Sequence, residues 1–395
     1  MGPIRQFAAG PLPVIHYPHP LLLLLLGLSK EVEKEAAVRI RAERDDLADV
    51  LGRASRAVST RSALEILQGV LCTVSGKELT VTATDLELTI RTSLTVEAME
   101  EGSTVIPARL AAEAVRKMPP GAVSLASHDG EVEITGNGPR FALREFNAAD
   151  FPQIEVPDET GGVTMDGDVF ASAIAQVGTA ASLDEARPIL TGIHFAAEGD
   201  SLRMVATDSY RLAVRDLPGV APQEGLVPVR SLRELSKSIG APKVTASIGE
   251  RSASFHSDAG TMSARLIEGT FPNYRQLLPE THEGRLVASK EELLDAVARA
   301  SLVAEDHIPL RLSLGSGGVD MAVQRQEVGG ETEHIKGEYE GPEITIAFNP
   351  RYLSDGLNAL DDDRVVLEVQ DEHKPGLLYG GSAQDFRYLL MPVRL

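Results

Sequence analysis

Three stretches of this chain follow one plan: VIPARLAAEAVRKM, LVPVRSLRELSKSI and AFNPRYLSDGLNAL each pass from a short apolar run into a segment whose apolar residues recur at helical spacing. Their arginines, Arg109, Arg230 and Arg351, stand 121 residues apart at each step. A fixed long period means one supersecondary unit used repeatedly, so the fold must be one that three tandem copies can satisfy. Other marks keep nearly the same period. TATDLELTI, from Thr82, answers VATDSYRLAV, from Val205, and DFPQI, from Asp150, answers TFPNY, from Thr270.

Each unit opens on an amphipathic helical pattern: RDDLADVLGRASRAV, DGDVFASAIAQVGTAA and SKEELLDAVARASLVA. Leu47, Val50, Leu51 and Ala54 share one face of the first, and Leu293, Leu294, Val297 and Ala300 one face of the third. Ser289 followed by Glu292 predicts a capping box. Between helices the chain alternates with period two, as in Leu202, Met204 and Ala206 before a Thr207-Asp208 turn and Tyr210, Leu212 and Val214 after it. The pattern predicts an α+β fold of three repeated domains, each with two helices packed on antiparallel sheet. VPDETGG and PETHEGR interrupt it and place the units at 37–159, 160–283 and 284–395. The terminal FRYLLMPVRL occupies the place of FALREFNAADFP and MSARLIEGTFP. It begins as the last strand of unit three and ends where the earlier units run into linkers.

At 395 residues the chain exceeds what one core holds, in keeping with three units. Its net charge of -20 repels nucleic acid on average, yet an average leaves room for a basic lining. The single cysteine, Cys72, can make neither an intrachain disulfide nor a thiolate cluster, which points to a cytosolic protein and a small buried hydrophobe. Residues 1–36 hold six consecutive leucines behind a Pro- and His-rich stretch. That run falls short of the ~20 residues of a membrane span, and it lacks the charged start and cleavage site of a signal peptide. It reads as a disordered extension or an upstream start, although no methionine lies between Met1 and Met99.

The basic residues cluster on the helical segments. Arg53 and Arg56 lie on the first, Arg116 and Lys117 follow Arg109, Arg233 and Lys237 follow Arg230, and Arg299 lies on the fifth. Acidic residues gather elsewhere, in EVPDE, QEVGGETEHIKGEYEGPE and LDDDR. A surface that collected the helices would be far more positive than the chain as a whole, a footprint for a phosphate backbone without base-reading elements. Copies without distinct capping units also favour a closed ring, which two chains could complete by two-fold symmetry.

VATDSYRLAV, LIEGTFPNYRQLLP and the terminal YLLMPVRL resemble the bacterial DNA polymerase III beta subunit family, the replicative sliding clamps, and the likeness runs in order from about Val38 to Leu395. It implies a head-to-tail homodimeric ring that encircles duplex DNA without regard to sequence, with helices lining the hole. Such a ring is a non-catalytic subunit of the polymerase III holoenzyme that tethers the polymerase at high effective concentration. It also implies one docking pocket per protomer for short motifs of the polymerase alpha subunit, clamp loader, translesion and mismatch-repair proteins. Carried over by motif, the pocket takes Leu190, Thr207, Ser209, Tyr210, Arg211 and Leu212 from unit two and Pro272, Gln276 and Leu277 from the linker. Leu390, Met391, Pro392, Val393 and Arg394 complete it from the terminus. The DNA-facing set gains Arg61 and Arg187, the latter followed by Pro188-Ile189 where the family often has aromatics. For ring closure, Arg140, Phe141 and Leu143 would face Leu302, Val303, Glu331 and Glu333 of the partner copy. Ser209-Tyr210 replaces a frequent Gly-His, Gln276 a frequent Arg and Val393 a frequent Met, so ligand preference is expected to differ.

Two other classes fit the sequence poorly. An enzyme finds no acid, base, nucleophile, metal spacing or phosphate loop to work with, and no cofactor is implied. An exported scaffold without DNA affinity conflicts with the helical charge pattern, the lone cysteine and the poor signal segment, and no membrane partner is expected.

Overall fold

The computed structural model describes residues 37–59, 62–154, 161–238, 242–304, 308–382 and 384–394. The expected leader and Arg61 lie outside them.

Unit one runs β1 (Arg39–Glu43), α1 (Arg44–Ala54), β2 (Gly69–Ser75), β3 (Glu78–Thr84), β4 (Leu88–Thr95), β5 (Glu97–Glu100), β6 (Gly102–Pro107), α2 (Ala108–Arg116), β7 (Ala122–His128), β8 (Glu131–Thr135) and β9 (Arg140–Arg144). Unit two repeats the order without a counterpart of β5, as β10 (Val163–Asp166), α3 (Gly167–Gly178), β11 (Gly192–Glu198), β12 (Ser201–Thr207), β13 (Arg211–Leu217), β14 (Gly225–Pro228), α4 (Val229–Ser238), β15 (Lys243–Ile248), β16 (Ser252–Ser257) and β17 (Gly260–Arg265). Unit three does so as β18 (Gly284–Ser289), α5 (Lys290–Ser301), β19 (Leu310–Gly315), β20 (Gly318–Arg325), β21 (Gly329–Glu340), β22 (Ile344–Phe348), α6 (Pro350–Asn358), β23 (Arg364–Val369), β24 (Gly376–Gly380) and β25 (Phe386–Leu390). The three arginines of the 121-residue period each occupy the second residue of the second helix in their unit.

The helices of each unit pack in pairs, α1 with α2, α3 with α4 and α5 with α6, against strands that pair antiparallel throughout. Leu47, Val50, Leu51 and Ala54 are buried as their spacing predicts. In α5 the buried set is Leu293, Ala296, Val297 and Ala300, with Leu294 half-exposed. Small residues let α2 approach closely, since Ala108, Ala111, Ala112 and Ala114 are its inner face beside Val115. In unit two, Phe170 of α3 packs on Phe255 and edge-on to Phe195, anchoring the helix to both sheet segments in a chain without tryptophan.

Caps are supplied by single side chains. Asp166 accepts from the N–H groups of Asp168 and Val169, and Asn349 from those of Arg351 and Tyr352. Ser289 accepts from Glu292 N–H, the first half of the expected box.

Sheet boundaries do not follow unit boundaries. A five-stranded sheet, β5-β1-β7-β8-β9, belongs to unit one. An eight-stranded sheet joins four strands of unit two to four of unit one where β17 pairs β4, and a twelve-stranded sheet joins units two and three where β13 pairs β25. Each unit therefore shares its main-chain hydrogen bonding with the next.

Candidate functional site

The opening of β13 and the chain terminus build the junction of units two and three. Asp208 Oδ1 accepts from the N–H groups of Tyr210 and Arg211, and Thr207 Oγ1 accepts from Ser209 N–H while donating to Arg211 C=O. This side-chain scaffold lets Ser209 sit at φ 82°, a conformation that a glycine takes more readily. Beyond β25 the terminus continues the ladder: Met391 N–H donates to Tyr210 C=O at 2.9 Å and Val393 N–H to Ala347 C=O at 2.8 Å. The apolar tail is thus clipped between the turn of unit two and β22 of unit three.

Beneath the turn lies a buried ionic knot. The Arg211 guanidinium donates to Asp208 at 2.9 Å, to Asp355 of α6 and to the Tyr388 hydroxyl, and stacks over the Tyr352 ring at 4.5 Å. Burial works against its charge, but Tyr388 and the two carboxylates outweigh that penalty and hold its pKa above the usual range. Burial holds the Tyr388 phenol well above its usual range too. Gly356 of α6 makes room for this arrangement: a Cβ there would lie 2.5 Å from the Tyr388 ring.

The expected pocket residues divide in two. Tyr210 (59% exposed) and Leu277 (42% exposed) are open, as are Ser209, Pro272, Gln276 and Arg394, with Met391, Pro392 and Val393 half-buried beside them. Leu190, Thr207, Arg211, Leu212 and Leu390 are buried and support the wall from behind. Sequence reasoning missed Tyr352, which stacks on Tyr210 with ring centroids 6.3 Å apart, and Asp355. Their signal was present, because Tyr352 immediately follows the periodic Arg351. Under Pro272, Phe271 stacks on His194 at 4.9 Å, and burial holds the His194 imidazole below its usual pKa.

The basic residues are less free than their spacing implies. Arg53 pairs with Asp49, Arg187 with Asp184, Lys237 with Glu234 and Arg299 with Glu333. Arg230 reaches across units to Asp85 at 2.7 Å. Arg233 donates to Gly178 C=O at the end of α3, and Arg116 lies over Gly52 of α1. Arg56 is exposed, and exposed Arg109 and Lys117 meet no carboxylate among the described residues. Basic and acidic residues balance across the six helices, which makes them far more positive than a chain of net charge -20. Acidic residues sit on α1 and α5 as well, where Asp49, Glu291, Glu292 and Asp295 offset the arginines.

Among the described residues, β5 and β10 end their sheets, and so do two edges that carry the residues expected at the ring closure. The strand β9, which carries Arg140, Phe141 and buried Leu143, ends its sheet, and the stretch Gly329–Lys336 of β21, with Glu331 and Glu333, is paired on one side only, by β20. Leu302, at the end of α5, is 86% exposed, with Val303 half-buried beside it.

Family models for the DNA polymerase III beta subunit match the chain in three consecutive pieces: the N-terminal domain over residues 38–155, the central domain over 164–273 and the C-terminal domain over 275–394. The chain belongs to the beta sliding clamp family. It is 33% identical over 380 residues to the beta sliding clamp of Streptomyces coelicolor, covering 91% of this chain and all of that one. A beta sliding clamp homolog of Streptomyces muensis, GriR, is 31% identical over 90% of this chain and 99% of its own. The solved sliding clamp of Bacillus subtilis superposes with a TM-score of 0.86 at 26% identity, covering 91% of this chain and 100% of that structure.

As a clamp of this family the protein is a non-catalytic processivity factor of DNA replication. It encircles DNA as a dimer, holds the polymerase to it and docks other replication and repair proteins, and clamps do this work in the bacterial cytoplasm. Among the described residues no helix is long and apolar enough to cross a membrane.

Proposed function

We propose that two copies close head to tail through β9 of one and Gly329–Lys336 of the other, with units at 37–159, 160–283 and 284–395 making six positions around duplex DNA. What supports this reading is that β9 and Gly329–Lys336, each paired on one side only among the described residues, carry the apolar and oppositely charged residues expected at the seam. Arg140, Phe141 and Leu143 then meet Leu302, Val303, Glu331 and Glu333 of the partner.

The DNA-facing set is Arg53, Arg56, Arg61, Arg109, Arg116, Lys117, Arg187, Arg230, Arg233, Lys237 and Arg299. Exposed ion pairs are worth little, so pairing with Asp or Glu does not bar these side chains from exchanging a carboxylate for a phosphate. A neutral, loosely paired lining holds DNA weakly and without register, which favours sliding over fixed binding. The exposed wall of Tyr210, Leu277, Met391, Pro392 and Val393 takes an apolar peptide, with Tyr352 as a further member, over the rigid support of Arg211, Leu212 and Leu390.

The test is retention on DNA. The protein is loaded by a clamp loader and ATP onto nicked circular DNA, then washed at high salt before and after the circle is cut. Retention on the circle and loss from the linear form is expected. Loss from both would mean ordinary electrostatic binding and would overturn the ring.

A further inference from the structure

The twelve-stranded sheet carries a second, smaller core on the face turned away from the helices. Met204 and Ala206 of β12 and Ala213 of β13 belong to the main core, so by alternation Val205, Leu212 and Val214 face the other way. Leu377 of β24 and Leu389 of β25 join them from unit three. The linker between the two units closes over this patch. It makes a short 3-10 turn at Tyr274–Leu277, and Tyr274 enters the patch until only 2% of it stays exposed. Phe271 packs on the same patch, and so does Met391 of the terminal tail.

A row of alternating charges crosses the same face. Arg387 of β25 donates to Asp216 of β13 at 2.8 Å, and Asp216 also accepts from Arg203 of β12, its directly opposed neighbour, at 2.5 and 2.9 Å. Arg203 reaches Glu198 at the end of β11 at 2.8 Å, and Glu198 pairs with Arg275 of the linker at 3.1 Å. From the same nitrogen Arg275 donates to Ala197 C=O at 2.9 Å, and its guanidinium lies over the Tyr274 ring at 5.0 Å. The row begins on the last strand of unit three and ends on the linker.

The two walls of the peptide pocket stand at the two ends of this row. Beyond Arg387, β25 runs on into Met391, Pro392 and Val393, and directly after Arg275 come the exposed Gln276 and Leu277. These walls are more than a hundred residues apart in the chain, so a four-residue turn cannot by itself set its distance from a strand of the next unit. Tyr274 fixes how deep the linker sits. A ring in an apolar socket still leaves sliding along the sheet, which hydrogen bonds to fixed points remove because they are directional. The fixed point is Arg203, buried and bidentate on Asp216.

We infer that Arg275 and Glu198 are positioning residues of the peptide pocket: tied to Glu198 and Ala197 C=O, Arg275 holds Gln276 and Leu277 at a set distance from the tail wall without touching the peptide itself. The inference rests on the reading of the exposed wall as a peptide site, and adds that its linker side is placed by charge as well as by packing. Arg275 and Glu198 are 51% and 40% exposed, so their pairing contributes little to global stability. What it contributes is the placement of the residues that meet the ligand.

The test compares binding of the polymerase alpha subunit with unfolding by denaturant, in the full chain. Arg275→Gln and Glu198→Gln should each weaken binding about fivefold, the double variant should lie within about twofold of either single one, and Arg275→Lys should recover most of the loss. The denaturation midpoint should stay with that of the unaltered protein in all of them. Weakening by Arg275→Gln with none by Glu198→Gln, or losses that multiply in the double variant, would mean that Arg275 meets the partner directly and would overturn the tie. A midpoint that falls in step with the affinity would overturn it too, by reducing the effect to stability. Leu277→Asp, in the wall itself, keeps the two readings apart, and should weaken binding about tenfold or more. If it does so and the tie variants do not, the positioning role fails and the pocket stands. If Leu277→Asp changes nothing, the pocket reading fails and takes the positioning role with it.

Discussion

The two junctions inside this chain use the same backbone design and opposite side-chain chemistry. Between units one and two, β4 meets β17 in four pairs, Leu88 to Arg91 against Ala264 to Thr261, and the conspicuous ionic contact is Arg230–Asp85, whose arginine is 63% exposed although its aspartate is buried. Between units two and three, β13 meets β25 in five pairs, flanked by Arg387–Asp216 and Arg215–Asp385 at 2.8 Å each and by the knot around Arg211. Asp216 also binds buried Arg203, which reaches Glu198. The difference teaches where rigidity is needed. A pocket whose walls come from two units exists only while both stay in register, and buried charges are punished for any slip because each would lose its partner in a medium that cannot replace it.

The sharpest way to break this comparison is to delete the equivalent carboxylates. Asp85 and Asp208 each cap their turn through two backbone N–H groups, but Asp208 alone also holds a buried arginine. Asp208→Ala should cost about 3 kcal/mol of unfolding free energy, and Asp85→Ala about 1 kcal/mol, by denaturant titration. Equal costs would mean that the knot adds nothing.

The weaker junction has its own sensitive point. Gly260 opens β17 at φ 126°, and a Cβ there would lie 2.4 Å from Arg91 C=O of β4. Gly260→Ala should destabilise by about 2 kcal/mol and raise hydrogen exchange in β17 and β4 before β13 and β25. Uniform exchange across both ladders would argue that the units do not loosen separately.

Acidification should distinguish the junctions as well. Burial against Phe271 keeps His194 neutral in the folded state, with its pKa below the unfolded value of 6.5. The unfolded chain then binds the proton first, so stability is complete above that value and declines as pH falls from it toward the folded pKa. The decline is at most one proton's worth, about 1.4 kcal/mol per pH unit. His194→Phe should flatten the pH 7 to 5 limb of the stability curve, and an unchanged limb would remove His194 from the account.

The smallest effect belongs to the exposed bridge. Arg230→Ala should change stability by less than about 1 kcal/mol, and that little should vanish at high salt. A larger loss would show that the first junction also depends on charge.

Much of the fold was legible because it rests on period. Arg109, Arg230 and Arg351 fall on the same turn of three equivalent helices, and Thr207-Asp208 makes the turn its residue types favour. Leu47, Leu51, Leu212 and Leu390 are buried where alternation and helical spacing place them. The tail at Met391 to Val393 was readable too, since its place in the third repeat made it the continuation of a strand.

What the sequence could not reveal is which charges find each other. Local spacing predicts Arg53–Asp49 or Arg187–Asp184, pairs on one turn of chain, but Arg211–Asp355, Arg230–Asp85 and Arg387–Asp216 join residues more than a hundred positions apart. The same long-range folding brought Tyr352 onto Tyr210 and Glu333 of β21 onto Arg299 of α5. The sequence by itself determined that three like units exist and how each is built, since propensity and periodicity act over a few residues. Only the tertiary structure decided that one junction is tied by a buried arginine and the other by an arginine that stands largely in solvent, because the strength of an ion pair depends on desolvation, and desolvation is a property of everything packed around it.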